Sequence, residues 1–490
     1  MIGKDTEAIR AARNAAEAEA DLVELRLDSM DQPDPEGALA GRRKPAIVTC
    51  RPLREGGMFD GPEEARVRIL ERAHALGAEF IDVEWDATAM PLVRARGGRG
   101  VIASRHDFSG TPSDAAGILA ALRRTGAEIA KLAVTTERPS DLLSLLGAAD
   151  RDGSSIVIGM GAAGISTRIL AGRFGSRWTY AGDAIAPGQV TAARLLQEFH
   201  FRRIRPDAAV YLVLGRPVSG SLSPAMHNAG FAALGINAAY VPLDVRDLQG
   251  LRAFGEAIGM RGASVTIPYK RDVMALLDEV APTAGTAGAV NTIATSPSTG
   301  PPSTQLGAGG TSRWVGMNTD ADGFLEPLRA RVPDIRGLRA VILGAGGAAR
   351  GVGLALRREG AAVAIAARRA DAARTVAHAI GAETTEWPPA PASWDLLVNA
   401  TPVGSRALAG TPYDGPFNGL VYDLVYDPDP TPLMQAARAS GCAAIGGLEM
   451  LVAQAERQFE IWTGQRPPAG LFAQAAAAAI KTRTEKRSAA

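Results

Sequence analysis

The sequence predicts an α/β protein in two halves: an N-terminal (β/α)8-type barrel, then a two-domain α/β unit that includes a doubly wound nucleotide-binding sheet. Three observations carry that expectation. Apolar strand runs alternate with helix patterns through the first 200 residues. A short basic stretch, Phe201-Arg-Arg-Ile-Arg-Pro206, interrupts the pattern, and Pro206 biases Arg205 away from helix. Further on, Val341-Ile-Leu-Gly-Ala-Gly-Gly-Ala-Ala-Arg350 reads as a buried strand, a glycine turn and a helix start. A chain of 490 residues has room for two or three domains.

A helix over 6–20 comes first, and only Met1-Ile2-Gly3 stands where its leading strand belongs. Seven full strands follow, over 21–28, 46–51, 79–85, 100–106, 128–134, 155–160 and 178–182. Helical stretches such as 62–76 and 113–126 separate them. Such alternation pairs strands in parallel, and this many units makes a barrel that either is short of most of its first strand or has its true start upstream. Polar residues gather late in these strands: Glu24 and Arg26, Arg51, Glu84 and His106. Arg168 and Gln189 follow the last two. In a barrel those ends share one mouth, so the side chains can line one pocket. Lys131 stands out amid Ile129, Ala130, Leu132 and Val134. Burying its charge is costly, which favours the neutral amine, a nucleophile toward a ketone. His106 is the natural proton shuttle beside it. Glu84 either pairs with an arginine or orients His106.

After the linker a strand over 209–215 leads into Ser221 and Ser223, which alternate on one face of an extended turn. Gly262-Ala-Ser-Val-Thr-Ile-Pro-Tyr-Lys270 ends a strand on a lysine. Asn291 and Asp320 follow in Ala289-Val-Asn-Thr292 and Gly316-Met-Asn-Thr-Asp320. The stretch 295–312 is low-complexity and reads as a loop without a catalytic role. In the nucleotide turn, Gly344 permits a tight bend and Gly346 a close backbone approach to a pyrophosphate at the helix N-terminus. Gly344, Ala345, Gly346, Gly347 and Ala348 are the expected phosphate contacts. The next strand ends in Arg368-Arg369, where an acidic residue would suit NAD. A guanidinium pair suits a 2′-phosphate, so NADP is the expected cofactor. Ala400 and Thr401 lie at a later strand end over the cofactor, and Gly447 joins them as the chain turns back. Residues 481–490 read as a frayed polar tail.

Composition narrows the class. The chain is 46% hydrophobic and 21% charged with a net charge of +1, which argues against nucleic-acid or membrane-surface partners. Two cysteines make no disulfide framework, and Lys4, Asp5, Glu7 and Arg10 leave no apolar signal stretch, so a reducing, cytoplasmic setting is expected. No metal site is expected.

The first 200 residues resemble type I 3-dehydroquinate dehydratase. The resemblance rests on Ala20-Asp-Leu-Val-Glu-Leu-Arg-Leu-Asp28, Thr49-Cys-Arg51 with Glu55-Gly-Gly57, Ile81-Asp-Val-Glu84, Ser104-Arg-His-Asp-Phe108, Ala130-Lys131 and Pro187-Gly-Gln189. It implies that Lys131 forms an imine with the substrate ketone, that His106 moves the proton and that Glu84 supports His106. Arg168 would grip the carboxylate, with Glu24, Arg26, Arg51 and Gln189 around it. Ile185 departs from the family, which usually has Ser there. Residues 209 to about 480 resemble shikimate dehydrogenase. There Lys270 and Asp320 match the catalytic pair, and Ser221, Ser223, Thr266, Asn291, Tyr426 and Gln454 match substrate positions. The implied domains are a barrel over 1–204, a substrate domain over 207–335, a Rossmann NADP domain over 336–441 and returning helices over 442–490. Together they imply two consecutive steps, 3-dehydroquinate to 3-dehydroshikimate to shikimate. The other reading keeps only the dehydrogenase active, with the barrel as a scaffold.

Overall fold

The computed structural model describes residues 1–85, 90–182, 188–296, 312–391 and 393–488. The first half runs α1 (Thr6–Ala16), β1 (Val23–Arg26), α2 (Pro35–Leu39), β2 (Ala46–Thr49), α3 (Glu63–Ala75), β3 (Phe80–Glu84) and α4 (Met90–Ala95). It continues through β4 (Val101–Asp107), α5 (Ala115–Arg124), β5 (Ile129–Thr135), α6 (Pro139–Ala148), β6 (Ser155–Met160) and α7 (Ile165–Ile169). Then come β7 (Ala209–Gly215), α8 (Ser223–Ala233), β8 (Ala238–Asp244), α9 (Leu251–Ala257), β9 (Met260–Val265), β10 (Glu279–Val280), α10 (Pro282–Ala287), β11 (Thr292–Ser296) and β12 (Arg313–Met317). The last third holds α11 (Asp320–Arg329), β13 (Arg339–Leu343), α12 (Gly347–Arg358), β14 (Ala362–Ala366), α13 (Ala370–Ile380), β15 (Glu383–Thr384) and β16 (Leu396–Asn399). It closes with β17 (Leu420–Asp423), α14 (Pro432–Ala439), β18 (Ala444–Gly446), α15 (Gly447–Thr463) and α16 (Leu471–Ser488). Two compact units result: Met1–Ser221 with Asn237–Met260, and Leu222–Ile236 with Arg261–Ala490. No helix among the described residues is long and apolar enough to cross a membrane.

In the first unit β1 to β6 pair in sequence order, all parallel, and curl as a half-barrel. Strand alternation sorts the side chains. Val23, Leu25, Val48, Ile81, Val83 and Val101 face the outer helices. Ile47, Ile102, Ile129 and Ile156 face inward with Phe80 and Trp178. The inner face therefore has an apolar floor, and its polar residues stand at the C-terminal strand ends.

The sheet has six strands, not the seven expected, because the run over 178–182 forms none. The reason lies on the outer edge of β6. Ser176 Oγ accepts from Val157 N at 2.8 Å and donates to Val157 O at 3.2 Å, and Thr167 Oγ1 accepts from Gly159 N at 3.0 Å. Side-chain hydroxyls thus occupy the backbone groups a seventh strand would need. Trp178 instead packs on Phe80, with ring centroids 5.2 Å apart. At the other edge, Arg26 N donates to Met1 O at 2.9 Å, so the short N-terminal run lies beside β1 without forming a strand. Ile185 lies outside the described residues.

This unit also takes in the parallel pair β7 and β8. The loop before α6 is bonded to the loop after β8. Arg246 N donates to Glu137 O at 2.8 Å, Ser140 N to Gln249 O at 3.0 Å, and Arg138 pairs with Asp247 at 2.8 Å.

In the second unit β11 lies between β9 and β12, antiparallel to both, and β10 runs parallel to β12. The low-complexity stretch joins β11 to β12, and its residues 297–311 lie outside the described ones. The nucleotide sheet is all parallel, in the order β15-β14-β13-β16-β17-β18. The order reverses between β13 and β16, where a crevice forms at the carboxyl ends. Helix α16 runs on to Ser488, so residues 481–488 are helical rather than frayed. Lys, Arg and Glu propagate a helix well once an Ala run has started it. Helices α11 and α15 touch closely at Gly323, where an added Cβ would lie 2.5 Å from Gln454 Cβ.

A Gly323→Ala substitution should therefore lower stability by about 1–3 kcal/mol. Chemical denaturation of purified protein reads this, and an unchanged midpoint would show that the two helices can part without cost.

Candidate active sites

The half-barrel positions its charges by register. Lys131 pairs with Ser104 across β4 and β5, and His106 with Ala133, so lysine and histidine stand one inward step apart. Lys131 is only 4% exposed. Its surroundings are not purely apolar, as the sequence alone suggested: Nζ lies 2.7 Å from Asp82 Oδ2 and 4.5 Å from the Tyr180 ring centroid. Asp82 also takes Ser104 Oγ at 2.5 Å and Arg51 at 3.2 Å. Burial alone would raise this carboxyl, but the Lys131 and Arg51 charges outweigh it and hold it well below the usual range.

Glu84 is where the resemblance misleads. It bonds Arg51 at 3.1 Å and also the fully buried Arg66, and no bond joins it to His106. Burial pushes its carboxyl up to about 7 against the pull of both arginines. The carboxylate on His106 is Glu55, whose Oε2 lies 3.0 Å from Nδ1 and accepts the His106 backbone N–H at 2.8 Å. Strand geometry explains the swap: Glu84 ends β3 beneath the arginines, whereas Glu55 reaches His106 from the loop after β2. Burial lowers His106 well below its usual value, and Arg51, 2.9 Å from Nδ1, and Lys131 add to it.

The remaining expected residues spread around this pair. Glu24 accepts from Thr49 Oγ1 at 2.7 Å; burial opposes its charge, but Lys131 and Arg26 leave it below the usual range. Arg26 is taken by Asp28 through two bonds of 2.9 and 2.7 Å. Arg168, on α7, is 3% exposed. Burial pushes its guanidinium down to about 10, its Nε has no hydrogen-bond partner among the described residues, and Nη1 has one long bond of 3.4 Å to Tyr180 O. Gln189 lies beside Gly182, where an added Cβ would stand 3.1 Å from its amide.

In the second unit Lys270 Nζ meets Asp320 Oδ2 at 2.5 Å, both about one-third exposed. Asn291 donates to the other oxygen of Asp320 at 2.8 Å. Gln458, on α15, ties this corner down: Nε2 donates to Asn291 O at 3.1 Å and Thr292 Oγ1 at 2.9 Å, while Oε1 accepts from Ser264 at 2.7 Å. Gln454 lies one turn earlier on the same helix. Thr266 follows β9 in a turn closed by Tyr269 N at 2.9 Å, and Tyr426 follows β17, 37% exposed. The serines differ from expectation. Ser221 ends a tight turn on Val218 O, and Ser223 already begins α8, because Pro224 favours a helix start there. Ser221 belongs to the first compact unit and Ser223 to the second.

The glycine turn fits a dinucleotide. Gly344 has φ +112°, and an added Cβ would press within 3.1 Å of Ala400 O and Thr401 Cγ2. Gly346 and Gly347 open α12, and a Cβ on either would meet nothing within 4 Å, so this helix N-terminus is clear for phosphate. Ala345 and Ala348 flank them. Arg368 and Arg369 are exposed just past β14. Buried Asn399 fixes the facing loop, accepting from Thr401 N and Oγ1 and donating to Asp423 at 2.8 Å. Gly447 starts α15 so close to Leu424 O that a Cβ would stand 2.3 Å away.

Known proteins carry the same three parts. Residues 1–206 match the type I 3-dehydroquinase family, 213–293 the shikimate dehydrogenase substrate binding domain and 447–477 the shikimate 5′-dehydrogenase C-terminal domain. The bifunctional 3-dehydroquinate dehydratase/shikimate dehydrogenase, chloroplastic, of Arabidopsis thaliana is 34% identical over 495 residues, which is 94% of this chain and 80% of the relative. The chain belongs to this bifunctional family. For the dehydrogenase half, shikimate dehydrogenase (NADP(+)) of Symbiobacterium thermophilum is 41% identical over 289 residues, 55% of this chain and 94% of its own. A crystal structure of a shikimate dehydrogenase in complex with NADP+ is 31% identical, covers 56% of this chain and 96% of that one, and has a TM-score of 0.50.

Glu55, Asp82 and Gln458 were missed in the sequence. Asp82 was legible: it stands two residues before Glu84, on the same strand face. Glu55 and Gln458 had no such signal, since a loop and a helix bring them in from outside the strand pattern.

Glu55→Gln should cut dehydratase kcat by about 100-fold, because His106 loses the group that orients it. Glu84→Gln should instead act mainly on stability, by about 3 kcal/mol, because two buried arginines lose their anion. Steady-state rates and unfolding midpoints of both variants separate the roles, and a larger kinetic loss in Glu84→Gln would reverse them. His106 stays neutral below the usual histidine range, so its basic form persists as pH falls. Dehydratase kcat/KM should hold down through pH 6.5 and drop only below it; an acid limb centred at or above 6.5 would contradict this.

Proposed function

We infer that this chain catalyses two consecutive reactions, dehydration of 3-dehydroquinate to 3-dehydroshikimate and NADPH-dependent reduction of that product to shikimate. The observation that carries the first is the buried Lys131 one inward step from His106, on adjacent strands. A folding scaffold has no need of a lysine with only 4% exposure beside a neutral histidine.

In the dehydratase half, Lys131 Nζ adds to the C3 ketone and water leaves, giving an iminium that draws electrons from C2. Glu55 holds the His106 ring through its backbone N–H and Nδ1, and the ring takes the C2 proton and returns it to the departing hydroxyl. Arg168 binds the substrate carboxylate. A buried guanidinium with one long hydrogen bond gains most from such an anion. Glu24, Arg26, Arg51 and Gln189 shape the pocket, with Arg51 tied between Asp82 and Glu84.

In the dehydrogenase half, Lys270 donates a proton to the ketone oxygen and Asp320 positions its ammonium. Asn291 fixes Asp320 from the other side. Ser223, Thr266, Tyr426 and Gln454 offer hydroxyls and an amide to the substrate ring. Bound NADPH supplies the hydride. Gly344, Ala345, Gly346, Gly347 and Ala348 would hold its pyrophosphate, Arg368 and Arg369 its 2′-phosphate, and Ala400, Thr401 and Gly447 its nicotinamide side.

Borohydride reduction in the presence of 3-dehydroquinate should lock substrate on the peptide containing Lys131, and Lys131→Ala should abolish both the adduct and dehydratase turnover while sparing NADPH-dependent reduction. Mass spectrometry reads the adduct. No adduct on a chain that still reduces 3-dehydroshikimate would leave the barrel as a scaffold.

A further inference from the structure

Lys131 is not the only group at the reacting nitrogen. Asp82 Oδ2 lies 2.7 Å from Nζ, and Asp82 is the only carboxylate bonded to that nitrogen among the described residues. The other acids nearby are already committed. Glu24 accepts from Thr49, Glu84 bonds two arginines, and Glu55 sits on His106. Asp82 itself is fully buried, and its orientation is set from both sides: Oδ1 takes Ser104 Oγ at 2.5 Å and Oδ2 takes Arg51 at 3.2 Å. A carboxylate fixed this way cannot swing off the lysine when substrate arrives.

We propose that Asp82 is a catalytic residue of the dehydratase half, the counter-ion that faces the Lys131 nitrogen and stabilises the protonated iminium formed on it. This rests on the imine reading above. The bonds balance without an outside acid or base. An ammonium has no lone pair to attack with, so Nζ first passes one proton to Asp82, 2.7 Å away. The C=N bond then forms and the C=O bond breaks. That proton and a second nitrogen-bound hydrogen leave with the ketone oxygen as water, and the iminium keeps the third. The charge facing Asp82 is +1 at both ends of that step. The protonated iminium is the electron sink for removal of the C2 proton, and a fixed anion within hydrogen-bond distance keeps it protonated. The same anion has a cost, since its 2.7 Å bond ties up Nζ and slows attack on other reagents.

Those two effects have opposite signs, and Asp82→Asn should show both with the unfolding midpoint and NADPH-dependent reduction of the wild type, which separates loss of the anion from a loosened barrel that merely exposes Lys131. Acylation of Lys131 at pH 7 by an amine-selective reagent, followed by peptide mass spectrometry, should be at least about 10-fold faster in Asp82→Asn, because Nζ loses the charge-assisted bond that holds it. Dehydratase kcat should fall by about 100-fold in the same protein. Wild-type borohydride trapping is run beside it: a wild type that traps no substrate defeats the imine reading itself, separately from Asp82. If Asp82→Asn is insoluble, Ser104→Ala frees only Oδ1 and should shift both rates in the same opposed directions, by about 3-fold. Acylation and turnover that both stay within 2-fold of wild type, or that both fall, would overturn the proposal.

Discussion

A lysine shut away from water needs a negative charge within reach, and the inner face of the half-barrel is arranged around that need. Lys131 meets Asp82, Asp82 meets Arg51, Arg51 meets Glu84, and Glu84 meets Arg66, which reaches Glu63 near the surface. Signs alternate along the chain, so no charge is buried alone. A buried ion pair offers little net stability, because desolvation offsets most of its attraction, but removing one member leaves a charge uncompensated. The cluster is therefore better understood as a device for holding groups in place than as a source of stability. It sits on six parallel strands whose apolar floor of Ile47, Ile102, Ile129 and Ile156 keeps water from below.

The dehydrogenase half solves a similar problem with neutral groups. Lys270 and Asp320 stand partly in solvent, where their attraction is screened, and geometry comes from amides and hydroxyls instead. Gln458 joins Ser264, Asn291 and Thr292, and Asn291 then holds Asp320. In the nucleotide sheet Asn399, Asp423 and Thr431 do the same for the loops at the switch between β13 and β16. Burial raises the Asp423 carboxyl, and three donors hold it without a cation. Both networks are fully buried, so each hydrogen bond lost there would leave a polar group without water to replace it.

Much of this was legible in the sequence. The late position of Glu24, Arg26, Arg51, Glu84 and His106 in their strands put them at one mouth, Lys131 stood out inside an apolar strand, and the glycine turn was found with its helix and both arginines. What sequence reasoning got wrong has a common cause. The resemblance assigned Glu84 to His106, while the residues alone left pairing with an arginine open, and the arginine pairing is what forms; the loop acid Glu55, four residues after Arg51, has no period to reveal where it goes. The seventh strand was read from an apolar run, but the hydroxyls of Ser176 and Thr167 had already taken the edge of β6. Ser221 and Ser223 looked extended until Pro224 began a helix.

The sequence by itself determined the class of fold and picked out the two lysines and the glycine turn. Each of these depends on local chemistry: strand period, a glycine's freedom at positive φ, a charge at a strand end. Only the tertiary structure decided which carboxylate serves which base. Asp82 reaches Lys131 across two strand spacings, Glu55 reaches His106 from a loop fifty-one residues earlier, and Gln458 reaches Asn291 from a helix 167 residues later. Hydrogen bonds act over about 3 Å, and no rule of sequence spacing brings residues that far apart in the chain within that distance.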